Sequence, residues 1–102
     1  MQVSNMRNSR GNEVPNQVII SGITTEYTTK SGEKKTTEKG SMYQSYNSNI
    51  VFETESGEIF IDSRYWHYSV TTNRYRNQFL NENKAETQKK IDSGEYKLVD
   101  LN

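Results

Sequence analysis

The sequence predicts an α+β fold: a small antiparallel sheet of two hairpins plus a C-terminal strand, with two short helices packed on one face. Three observations point there. Two β-branched or aromatic runs are each closed by Ser-Gly, at Ser31-Gly32 and Ser56-Gly57. A helical spacing then begins near Val70, and the chain closes on the alternating segment "EYKLVDLN".

Residues 1–16 are polar, lack periodicity and hold the only Pro, so a flexible N-terminal tail is expected, with residues 17–102 as a single domain. "QVIISGITTEYTT" reads as a strand, with Gly22 at a bulge or close approach. Ser31-Gly32 turns it into the polar arm "EKKTTEK", an edge strand or a projecting hairpin. The strongest element is the second hairpin. Ile50, Val51 and Phe52 form one arm, Ser56-Gly57 the turn, and Ile59, Phe60 and Ile61 the other.

Thr71 is expected to cap the first helix, with Val70 and Tyr75 as a hydrophobic staple. Tyr75 and Phe79, four apart, then face the sheet, with Leu80 beside them. Arg74, Asn77, Gln78 and Asn81 share the solvent side, and Arg76 packs its stem while its head seeks a carboxylate or water. A second helix spans 84–92, with Gly94 in the left-handed position after it. The expected core is Ile50, Phe52, Ile59, Ile61, Trp66, Tyr75, Phe79, Ile91, Leu98 and Leu101.

Composition narrows function by exclusion. A chain of 102 residues with 30% hydrophobic content has room for one small core. It contains no Cys, which excludes disulfides and thiolate chemistry. No apolar run approaches the ~20 residues of a membrane span, and no secretory signal is visible, so a cytoplasmic location is expected. His67 is the single histidine, so a zinc site would need several carboxylates, and neither metal nor cofactor is expected. Ser69, His67 and Asp62 have the residue types of a hydrolytic triad but no nucleophile-elbow glycines around them. The chain is not expected to be an enzyme.

The window Ser63–Asn81 stands apart. Its Arg64, Arg74 and Arg76 meet no acidic residue, in a chain with 13 basic and 13 acidic side chains overall. Between them lie Tyr65, Trp66, Tyr68 and Tyr75. Tyr, Trp and Arg dominate protein-interface hot spots, and the same set stacks on bases and pairs with phosphates. These aromatics also serve as core in a domain short of Leu and Val.

The spellings "QSYNS", "YWHYSVTTNRYRNQFL" and "KKIDSGEYKLVDLN" carry a further signal, through Ser45, Tyr46, Asn47, Tyr68, Ser69, Thr71 and Thr72. Over these segments, between residues 44 and 102, the chain resembles a group of small phage-encoded accessory proteins of unknown function. The resemblance implies a phage origin and an accessory role in the host cytoplasm, and brings no catalytic residue. The expected function is binding and inhibition of a host antiviral effector, a CRISPR nuclease for example. Arg64, Tyr65, His67, Arg74 and Gln78 are the expected partner-binding residues, with Glu55 and Glu58 placed to meet basic channels on the target. Single-strand nucleic-acid binding is the alternative. The zero net charge counts against it, because phosphate affinity ordinarily needs a positive excess.

Overall fold

A computed structural model describes residues 1–102. The elements run β1 (Gln2–Arg7), β2 (Glu13–Ile23), β3 (Glu26–Thr28), β4 (Lys34–Thr36), β5 (Gly40–Ser45), β6 (Ser48–Thr54), β7 (Ile59–Asp62), α1 (Val70–Leu80), α2 (Lys84–Asp92) and β8 (Lys97–Val99). Six strands form one sheet in the order β1-β2-β5-β6-β7-β8, while β3 and β4 make a separate hairpin. The α+β class therefore holds, with two differences in the sheet.

The first difference is at the N-terminus. Gln2–Arg7 is a strand paired with β2, and β2 already begins at Glu13, so this segment is a hairpin rather than a flexible tail. A polar edge strand needs only one inward anchor, and Met6 supplies it, 4% exposed. The connecting turn is built by Asn8, whose Oδ1 accepts from the amides of Arg10 (3.0 Å) and Asn12 (3.1 Å). Pro15, read above as a tail residue, sits where the β1–β2 register shifts, a place where a strand tolerates a missing donor.

The second difference is at the far edge. β8 joins β7 in parallel, not antiparallel. Both helices lie between these strands in the chain, and such a crossover returns the chain in the same direction. The hairpin expected at Ser31-Gly32 forms, as a projecting arm: the wholly exposed β4 pairs with β3, the end of the expected strand, while β2 pairs with β1 and β5. Gly22 does lie at a register shift in β2, with φ +74°.

Both faces of the sheet are buried, which explains the consecutive apolar pairs. Tyr43, Val51 and Ile61 pack under the helices with Met6, Trp66, Tyr75 and Tyr96. Met42, Phe52, Phe60, Val99 and Leu101 form the opposite layer, where Tyr27 of the arm lies 4.6 Å from Phe60. Of the expected core, Ile59, Phe79, Ile91 and Leu98 are half-buried, and the other six are buried.

Helix α2 has the predicted bounds, held by an Asn83/Glu86 capping box, and Gly94 follows it at φ +82°. The cap of α1 is Ser69 rather than Thr71. Its Oγ accepts from Thr72 N at 3.0 Å, and Val70, 77% exposed, makes no staple. Setting the cap two residues earlier lets Thr72 turn inward to the sheet, where its hydroxyl lies 2.9 Å from that of Ser45.

Candidate functional site

Strand registers determine which connections share an end of the sheet. Arg7 pairs with Glu13 beside the β1–β2 turn, and Gln17 pairs with Ser45 beside the β5–β6 turn. Ile61 pairs with Val51, so β7 also leaves the sheet at this end, into the connection 63–69 and the start of α1. The β6–β7 turn, closed by Glu53 and Ile59, lies at the opposite end.

All five arginines of the chain belong to the first end. Arg7, Arg10, Arg64 and Arg74 are exposed, and Arg76 is buried. The exposed carboxylates bordering them are Glu13, 3.8 Å from Arg7, and Asp100 near Arg64. A chain without net charge thus has a cationic end.

Tyrosines accompany the arginines. Tyr46 and Tyr68 are 50% and 43% exposed, among the few large apolar side chains left open to solvent. Tyr46-Asn47 is a two-residue hairpin turn between the paired Ser45 and Ser48, with φ +48° and +69°. Such turns favour Asn-Gly, and an aromatic residue in left-handed backbone costs roughly 1 kcal/mol. The strain holds an aromatic ring at the tip of the turn, which is how backbone strain is often placed at functional sites.

The connection 63–69 is positioned by Asp62. Its Oδ2 accepts from the amides of Arg64 (3.0 Å) and Tyr65 (2.8 Å), and its Oδ1 from Leu101 N (2.9 Å) and Asn102 Nδ2 (3.0 Å). Tyr65 then meets Tyr68 edge-on at 5.3 Å, and the Arg64 guanidinium lies 5.9 Å from the Tyr65 ring. His67 is exposed and stacks on Trp66 at 4.5 Å. The residue types of a hydrolytic triad are not assembled. Asp62 is filled by its four donors, the Ser69 hydroxyl caps α1, and neither is hydrogen-bonded to His67. No three His, Asp or Glu side chains converge as metal ligands.

Arg74 and Gln78 lie on the flank of α1 that faces the β1–β2 turn. With Arg7, Asn8, Ser9 and Tyr75 they line a groove of about 610 Å³. The Arg7 guanidinium there also donates to Gly11 O at 2.8 Å. The predicted site residues thus separate into three places. Arg74 and Gln78 face this groove, and Arg64, Tyr65 and His67 lie in the connection at the same end. Glu55 and Glu58 lie in the turn at the other end, where Glu58 pairs with Lys97.

Arg7, Arg10 and Tyr46 were not among the residues expected from sequence. Their partners at the site are distant in the chain, and the one local signal was the replacement of Asn-Gly by Tyr-Asn in a hairpin turn.

Fold and surface together define a small α+β domain with two helices on one face of a mixed sheet and a cationic, tyrosine-bearing end. The chain belongs to a family of unknown function, DUF8033, whose family model matches residues 1–95, strands β1 and β2 included. No curated protein and no solved structure matches it.

Proposed function

We propose that this protein is a non-enzymatic phage accessory protein that binds and blocks a host antiviral effector, such as a CRISPR nuclease, in the host cytoplasm. The observation that supports the reading best is the gathering of Arg7, Arg10, Arg64 and Arg74 with Tyr46 and Tyr68 at one end of a neutral chain. Guanidinium groups there meet carboxylates on the partner, and the tyrosine rings provide apolar anchors. The partner class rests on the phage resemblance, and the mechanism is occlusion. Glu55 and Glu58 lie at the opposite end of the sheet, outside this surface.

The groove between Arg7 and Arg74 supports a second reading, single-strand nucleic-acid binding through phosphate contacts. A salt titration with labelled single- and double-stranded oligonucleotides separates the two. Binding at ~50 mM salt that falls steeply as salt rises favours nucleic acid. The leading reading predicts no oligonucleotide binding, retention of a host protein by the tagged chain, and better plaque formation only in hosts carrying the blocked defence system. A chain that retains no host protein and protects phage against no defence system contradicts it.

A further inference from the structure

The two edges of the sheet are treated differently. At β8 the arm closes in, with Thr28 N donating to Asp100 O and Asp100 N to Thr28 O, both at 2.9 Å. At β1 no element covers the strand. Gln2–Arg7 is exposed except at Met6, has no Pro or Lys, and carries one charge, at Arg7. Of the devices that normally blunt an open edge, Pro and Lys are absent, and the register shift and the charge at Arg7 lie beyond Asn5.

An apolar row also runs out to this edge. Val3, Ile20, Met42, Phe52 and Phe60 are consecutive cross-strand partners on the face away from the helices. Burial falls along the row: Phe52, Phe60 and Met42 are at most 2% exposed, Ile20 is half-buried and Val3 is 60% exposed.

We propose that the β1 edge pairs antiparallel with β1 of a second copy of this chain, with Val3 opposite Val3 on the two-fold axis. Residues directly opposed across an antiparallel pair share a face, so a two-fold axis normal to the sheet must pass through a residue position. An axis at Val3 carries the apolar row unbroken from one Phe60 to the other. An axis at Ser4 would set Val3 against Asn5, and one at Asn5 would set it against Arg7. The edge is self-complementary in charge too, because in the Val3 register the single charge at Arg7 falls beyond the paired residues. The result is a twelve-stranded sheet whose arginine ends point in opposite directions, one for each partner molecule.

The absence of cysteine makes a direct test simple. Opposed residues have Cα atoms roughly 4.5–5.5 Å apart, within disulfide reach. Val3→Cys is expected to form a covalent dimer on mild oxidation, and Ser4→Cys, which falls opposite Gln2, to crosslink at least tenfold more slowly. Sedimentation of the unmodified protein should give a dimer mass at ~100 μM, and Val3→Lys a monomer with an unchanged circular dichroism spectrum. A monomer mass for the unmodified protein at every concentration, or Ser4→Cys crosslinking as fast as Val3→Cys, overturns the proposal. So does a monomeric Val3→Cys variant whose thiol is protected only when a host protein binds, which gives the edge to that protein.

Discussion

Arg76 is fully buried beneath Trp66. Its guanidinium lies 5.0 Å from the indole and donates to the Trp66 backbone carbonyl, with no carboxylate hydrogen-bonded to it. Asn73 Oδ1 at 2.7 Å and Asn77 Oδ1 at 2.9 Å accept two more of its protons, while the buried Nε–H is left without a partner. In place of the expected carboxylate or water, the protein supplies side-chain amides from the same helix. Burial pulls the guanidinium below its ordinary pKa, the cost of desolvating a charge. The interaction ties the connection 63–69 to α1 and so helps shape the cationic end.

Arg76→Ala should therefore lower stability by about 3 kcal/mol, since it leaves a cavity and strands the Trp66 carbonyl. Arg76→Met fills the space without a buried charge and should lose less than half as much. Urea melts of both variants check this, and equal losses would mean that the fork of hydrogen bonds, not the packing, carries the stability.

The Tyr43 hydroxyl donates to Gln17 Oε1 at 2.5 Å, under α1. Burial pushes its pKa up to about 12, and burial together with the Glu82 carboxylate does the same for Tyr96. The folded chain keeps protons that an unfolded one releases near pH 10, so stability should fall as pH rises from 10 towards 12. Tyr43→Phe should flatten that fall and cost about 1–2 kcal/mol at neutral pH, where Gln17 Oε1 loses its donor. Melts across this range test both effects.

Glu82 joins the end of α1 to α2 and β8. Its carboxylate accepts from Lys90 (2.7 Å), Tyr96 (2.8 Å) and Thr87 (2.6 Å). Burial alone would raise its pKa, but these three donors outweigh it and hold it below the usual carboxylate value. A depressed carboxylate contributes stability above the unfolded-state pKa, and that part is lost as pH falls through the folded-state value. Glu82→Gln should cost about 2 kcal/mol at pH 7 and show a weaker acid-side decline. An unaltered acid profile would show that Glu82 is not the group titrating.

Tyr46 offers a trade between stability and binding. Tyr46→Asn relieves the left-handed strain and should raise stability by about 1 kcal/mol. It also removes an anchor, so the partner complex should weaken at least tenfold. Denaturant melts beside a binding titration measure the two, and a gain in stability with intact binding would show that the ring is not an anchor.

Legibility in the sequence follows the range of the interactions. The Ile50–Phe52 and Ile59–Ile61 arms were readable because Gly57, at φ +94°, closes them locally. Helix α2 was readable from its own spacing. Strand β1 was not, since Met6 is its only buried residue and its partner strand begins with Glu13. The α1 cap was misplaced by two residues because Ser69 and Thr71 are chemically alike at that position, and only Ser45 across the sheet selects between them. For the site, Arg64 and Arg74 stood out by their own neighbourhood. Their association with Arg7, Arg10 and Tyr46 is a consequence of sheet register, which no local pattern records.

We propose above that the arginine and tyrosine end holds a partner protein. The most direct measurement is the affinity of the captured host protein for the unmodified chain and for Arg64→Glu/Arg74→Glu, with melting temperatures taken alongside. Both side chains are exposed, so the fold should be unaffected. At least a tenfold loss of affinity at an unchanged melting temperature is expected. Undiminished affinity in a folded double variant would contradict the proposal and move the interface to another surface.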